Sequence, residues 1–111
     1  MKVDKSLLTG STAMMILSLL RGEEMYGYQM TRVLRERSNG AFELREGTLY
    51  PLLHNLEQER CVEANEREAE NGKRRRYYKI TPRGMKLLED KTAEFEYFTA
   101  SVNMVLAYGN A

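Results

Sequence analysis

Residues 62–82 read VEANEREAENGKRRRYYKITP, and the fold follows from them. Two stretches of strand composition, 62–68 and 73–80, flank Asn71-Gly72, the strongest two-residue signal for a hairpin turn. In the second arm Tyr78 and Ile80 alternate with Tyr77 and Lys79, the period of a strand with one buried face. That arm opens on Lys73, Arg74, Arg75 and Arg76, whereas the first carries Glu63, Glu66 and Glu68. Thr81-Pro82 then places a capping residue before a proline at the first helical position. From there a helix is expected to run to about Tyr108.

Three helical patterns precede the hairpin. Over residues 7–21, Leu8, Met15 and Leu19 recur at helical spacing, and Gly22 stands where a C-cap glycine belongs. The stretch is apolar nearly all round, so it should be buried on more than one side. Over residues 26–37, Tyr26, Met30, Val33 and Leu34 share one helical face, with Arg32, Arg35 and Glu36 opposite. Ser38-Asn39-Gly40 ends that helix. Over residues 47–60, Leu49, Leu52, Leu53 and Leu56 form an apolar stripe, with a start expected between Glu46 and Thr48. Thr48 is the candidate cap, which would put Pro51 in the first turn, where its missing N–H costs nothing. An earlier start would put Pro51 deeper and bend the helix.

Three short helices, a hairpin and a long helix are the plan of a winged helix-turn-helix, a mainly α (α+β) fold. The hairpin is its two-stranded wing and the last helix serves dimerisation. Residues 1–81 are expected to form the DNA-binding domain, and residues 82–111 a dimerisation helix packed on it. The composition agrees with one domain: 111 residues, 42% hydrophobic and 30% charged, with a formal net charge of +1. Such a balance gives no global attraction to nucleic acid, so attraction must come from the local run 73–76. That run would grip phosphates without reading sequence. Reading falls to the third helix, where Thr48, Tyr50, Pro51, His54, Asn55 and Gln58 lie opposite the leucine stripe. Thr, Asn and Gln hydrogen-bond base edges, and the Pro and Tyr rings pack on thymine methyls.

The last helix repeats differently. Leu88, Phe95 and Val102 are seven apart, as are Phe98 and Val105, giving a seam interrupted at Lys91 and flanked by Met85, Thr92, Thr99 and Leu106. Three short helices and a hairpin cannot cover it all, so a second copy of the chain is the expected partner, through its own last or first helix. The competing reading is packing against residues 7–20 of the same chain.

Enzyme chemistry is not expected. No glycine-rich phosphate loop or metal-spaced ligand set is present, and His54 is the one candidate base. Neither a cofactor nor a metal is expected. Cys61 excludes an internal disulfide and fits a reducing compartment, so a cytoplasmic location follows; it reads as a half-buried residue at the start of a strand. No signal peptide is recognised, and no apolar run reaches membrane-spanning length.

Three motifs carry a resemblance. Tyr26-Gly27-Tyr28-Gln29, Glu46-Gly47-Thr48-Leu49-Tyr50-Pro51-Leu52-Leu53 and Arg74-Arg75-Arg76-Tyr77-Tyr78-Lys79-Ile80-Thr81-Pro82-Arg83-Gly84 resemble the PadR family of transcriptional regulators. The likeness spans roughly residues 7–88. The single C-terminal helix looks like the short-tailed subfamily. The resemblance implies a bacterial, cytoplasmic, homodimeric regulator, most often a repressor, on double-stranded operator DNA. It implies DNA contacts from Tyr28, from Tyr50 and its neighbours, and from the wing. Some short members sense flat aromatic or cationic drugs between the long helices of the dimer. That makes a small aromatic effector a candidate partner here, with Met14, Phe95, Tyr97 and Phe98 as candidate contacts. The family commonly has Gly where Arg60 or Cys61 stands, so the turn into the wing is expected to be less tight. The alternative function is a winged-helix module that meets a protein instead of DNA, which the acidic strand beside the basic one would suit.

Overall fold

The computed structural model describes Met1 and residues 3–108. The element order is α1 (Lys5–Leu8), a 3-10 turn (Thr9–Ser11), α2 (Thr12–Gly22), β1 (Met25–Tyr26), α3 (Gly27–Arg37), α4 (Glu46–Gln58), β2 (Val62–Glu68), β3 (Arg74–Ile80) and α5 (Pro82–Tyr108). This is a winged helix with a long C-terminal helix, as the hairpin and the helical stripes led us to expect.

The core is built on α2. Ile16 and Leu17 are fully buried, and Leu19 and Leu20 nearly so, which is the burial on several sides that the apolar run requires. Met30 and Leu34 of α3, Leu49, Leu53 and Leu56 of α4, Val62 of β2 and Tyr78 of β3 close around it. Leu88 joins this core too, with 4% of its surface exposed. Expected on the seam, Leu88 is instead covered by its own chain, because the first turns of α5 pack on α2 and β3.

The local elements depart from expectation in five places. The first helix is broken at the 3-10 turn, where the Ser11 and Thr12 hydroxyls both donate to the Leu8 carbonyl. Such local bonds compete with a continuous helix. Gly22 is the last residue of α2, and Glu23 leaves it extended, so Gly22 serves no left-handed cap. Tyr26 lies outside α3. With Met25 it forms a short strand paired antiparallel to β3, Met25 opposite Tyr78 and Tyr26 opposite Tyr77, so the sheet has three strands in the order β1-β3-β2. Helix α4 begins at Glu46, within the expected interval, but Thr48 is not its cap and the Arg45 side chain makes no capping hydrogen bond, so Pro51 sits inside the helix. Finally, the hairpin turn has three residues. Ala69 N–H donates to the Lys73 carbonyl, Gly72 N–H donates to the Ala69 carbonyl, and Gly72 has φ +80°. This is a turn closed by a left-handed residue, a position that favours glycine, in place of the two-residue Asn71-Gly72 turn.

Both helices of the helix-turn-helix end in the same way. After α4, Cys61 N–H donates to the Leu56 carbonyl and Arg60 N–H to the Glu57 carbonyl, with Arg60 at φ +63°. This is a Schellman cap with an arginine at the left-handed position, and it makes the turn into the wing tight despite the missing glycine. Asn39, at φ +53°, does the same after α3.

The root of α5 is bolted to both neighbours. Thr81 N–H donates to the Cys61 carbonyl, and the Thr81 hydroxyl donates to the Arg60 carbonyl while accepting from Gly84 N–H. A Cβ at Gly84 would overlap the Cys61 carbonyl oxygen and lie 2.8 Å from Ile80 Cγ1. Glycine there lets α5 start directly against the end of α4 and the wing.

Candidate nucleic-acid interface

Helix α4 buries Leu49, Leu53 and Leu56 and exposes Thr48, Pro51, His54, Asn55 and Gln58. Its outward face is therefore polar apart from the Pro51 ring, and it is backed by core along its whole length. Tyr50 sits on one flank and is 45% exposed. Its phenol reaches the first turn of α3, where a Cβ at Gly27 would fall 2.6 Å from the hydroxyl. Gly27 is thus the floor on which the Tyr50 ring rests. Partial burial there raises the Tyr50 pKa, and Glu46 adds to the effect. The phenol stays neutral and able to donate a hydrogen bond. Tyr28, the next residue of α3, is exposed.

The wing is less uniformly positive than its basic arm implies. In the register of the hairpin, Glu68 lies opposite Arg74, Arg67 opposite Arg75, and Glu66 opposite Arg76. Lys73 and Arg74 are exposed at the turn. Arg75 lies over the Tyr26 ring, its carbon centre 4.5 Å from the centroid, with its Nε buried and without a partner among the described residues. Arg76 donates two hydrogen bonds to the Glu57 carboxylate, at 3.0 and 2.8 Å, which raises its pKa further. Of the basic run, Lys73 and Arg74 are the side chains with no ion pair or ring contact among the described residues.

Sequence reasoning missed a second constellation on the outer face of the sheet. Arg67 stacks on Tyr77 at 3.9 Å and pairs with Glu24 at 2.7 Å. Tyr77 meets Tyr26 edge to face at 5.4 Å. Arg67, Tyr77, Tyr26 and Arg75 form a ladder that braces the base of the wing against β1. The hairpin register and the Tyr26-to-Tyr77 pairing would have revealed it, but β1 was hidden by the helical periodicity of the residues that follow.

The distal half of α5 leaves Phe95, Tyr97, Phe98, Val102, Met104, Val105 and Leu106 exposed. Phe95 and Phe98 meet Met14 and Leu7 in a cavity of about 380 Å³ that also takes in Lys91 and Glu94. Met14, Phe95 and Phe98 therefore come together. Tyr97 does not line this cavity and is 78% exposed. Among the described residues no helix is long and apolar enough to cross a membrane, and no His, Cys, Asp and Glu group could hold a metal ion. Cys61 is more buried than expected, 3% exposed, and burial raises its thiol pKa.

Comparison with known proteins agrees with this architecture. Residues 16–90 match the Transcriptional regulator PadR-like family. An uncharacterized protein of Lysinibacillus sphaericus is 30% identical over 93 residues, covering 84% of this chain and 85% of that protein. A transcriptional regulator from Clostridium thermocellum superposes with a TM-score of 0.82 at 31% identity, over 88% of this chain and 95% of that one. A PadR family transcriptional regulator from Eggerthella lenta gives 0.80 at 29% identity, over 91% and 86%. A PadR family transcription regulator from Clostridium difficile gives 0.76 at 30% identity, over 86% and 98%. The family is one of regulators, in keeping with the absence of enzyme motifs from the sequence. The chain belongs to the PadR-like family of transcriptional regulators.

Proposed function

We propose that the chain is a cytoplasmic, homodimeric repressor that binds a pseudo-palindromic operator. The observation that carries this reading is the outer face of α4: Thr48, Pro51, His54, Asn55 and Gln58 exposed together on a helix whose other face is anchored in the core. Those side chains read base edges in the major groove. Lys73 and Arg74 grip the flanking phosphates, and Tyr28 and Tyr50 contact the backbone beside α3. Two protomers join through the exposed apolar face of α5, with Phe95, Phe98, Val102 and Val105 at its centre, and present two copies of α4 about one helical turn of DNA apart. A small aromatic effector enters beside Met14, Phe95 and Phe98, where the cavity already offers apolar walls.

The test is titration of the purified protein on DNA upstream of its own gene, across a range of salt. Binding should fall with salt by about 0.9 log unit per log unit for each phosphate engaged. Lys73→Ala with Arg74→Ala should flatten that slope on every duplex. Absence of salt-sensitive binding would remove the DNA-binding reading and leave the protein-interaction module.

A further inference from the structure

The four basic residues of the wing are not equivalent, and the difference has a mechanism. Arg76 stands between two carboxylates from different elements. Glu57 of α4 accepts both its hydrogen bonds, and Glu66, its cross-strand partner, lies 4.0 Å away. Nη2 alone donates to both Glu57 oxygens while Nη1 faces Glu66, so the guanidinium is held from two sides by charge-assisted contacts. Here it joins the flank of the reading helix to the middle of the wing. Glu57 is two turns beyond Tyr50, on the same flank of α4. A phosphate that recruited Arg76 would have to displace Glu57 and leave the two carboxylates facing the DNA backbone. Because the pair is exposed, it contributes little to stability. Its consequence lies elsewhere.

We propose that Glu57 is a specificity-determining positioning residue: by holding Arg76 it withholds one basic side chain per protomer from phosphate and sets the angle of the wing against the reading helix. This rests on the DNA-binding reading above. Affinity for any DNA is thereby kept down, and fit to the operator decides where the protein stays. Glu57→Gln frees Arg76 for phosphate. Arg76→Gln removes a charge that DNA never used.

The experiment measures affinity for the upstream DNA and for a scrambled duplex of equal length, between about 50 and 200 mM salt. For Glu57→Gln, affinity for the scrambled duplex should rise and its salt slope steepen by about 0.9 per protomer, with a lower ratio of specific to non-specific binding. Arg76→Gln should leave the slope at the wild-type value, and the double variant should lose the gain of Glu57→Gln. Arg74→Gln, by contrast, should flatten the slope by about 0.9 per protomer. A flattened slope for Arg76→Gln, or an unchanged one for Glu57→Gln, overturns the proposal. Should Glu57→Gln fail to fold, Arg76→Gln alone decides. Wild-type protein that ignores salt on both duplexes defeats the DNA-binding reading itself, before any variant is compared.

Discussion

Gly27→Ala should separate the stability of this fold from its function. The new Cβ would lie 2.6 Å from the Tyr50 hydroxyl, 2.9 Å from Cζ and 3.2 Å from Cε1. These are the outer atoms of a half-exposed ring, so the ring swings outward and the helices need not part. Forcing it off its preferred rotamer costs about 0.5–1.5 kcal/mol. Alanine, however, is a better helix former than glycine, by about 1 kcal/mol in a helix interior and by part of that at Gly27, the first residue of α3. The two terms nearly cancel, and the melting temperature should move by less than about 5 °C. DNA binding has no such offset. On the proposed reading, a ring pushed off its floor loses its hydrogen bond to a charged phosphate, at about 1.5–3 kcal/mol, or roughly 10–150-fold in Kd. Thermal melts monitored by circular dichroism, beside fluorescence anisotropy on the upstream DNA, read both quantities. Repeating the substitution in a Tyr50→Ala background, where the space is already open, should cost no further affinity. Wild-type affinity for Gly27→Ala would refute the claim that Gly27 holds Tyr50 for DNA. Further loss in the Tyr50→Ala background would show that Gly27 acts by another route.

Gly84→Ala should behave in the opposite way, because the atoms in its path are the Cys61 backbone. The start of α5 would have to retreat and strain the three hydrogen bonds of Thr81, costing about 2–4 kcal/mol at about 1 kcal/mol each plus lost packing; denaturant titration gives the value, and an unchanged midpoint contradicts the bolt. Arg60→Gly should stabilise the protein by about 1 kcal/mol, because glycine takes the left-handed conformation without the penalty an arginine bears. A lowered midpoint in the same titration would mean that the Arg60 side chain contributes more than its backbone costs.

Strong periodicity made much of this molecule legible. The leucine stripe of α4, the alternation in β3 and the Thr81-Pro82 start of α5 each specify an element through many agreeing residues. What escaped was set by single contacts. A two-residue strand has no period, so Tyr26 is drawn into the neighbouring helical stripe and Met25 falls in no element. The basic run was legible as chemistry, but its availability was not. Arg75 and Arg76 are engaged by Tyr26 and Glu57, the latter 19 positions away in sequence, and only the register of the wing against α4 reveals it. Leu88 has the spacing of a seam residue and the burial of a core residue, because α5 serves the core at one end and leaves the domain at the other. The family motifs carry the same limit: they mark Gly27 and Tyr50 as a set, but not that one is the other's floor.

Helix α5 runs 27 residues without interruption, about 40 Å, from the Thr81 bolt to its exposed apolar end. No flexible joint lies between its root and either α4 or the wing, since Thr81 is tied to the end of α4 and follows directly on β3. The helix is therefore a lever with a fixed head. Phe95 lies about 20 Å along it from Thr81. A tilt of about 10° pivoting there would carry the reading head sideways by about 3.5 Å, close to the rise of one base pair. In the dimer proposed above, a ligand lodged beside Phe95 would not need to unfold or reshape the domain to release the operator. It would need only to change the angle at which the two levers of that proposed dimer cross.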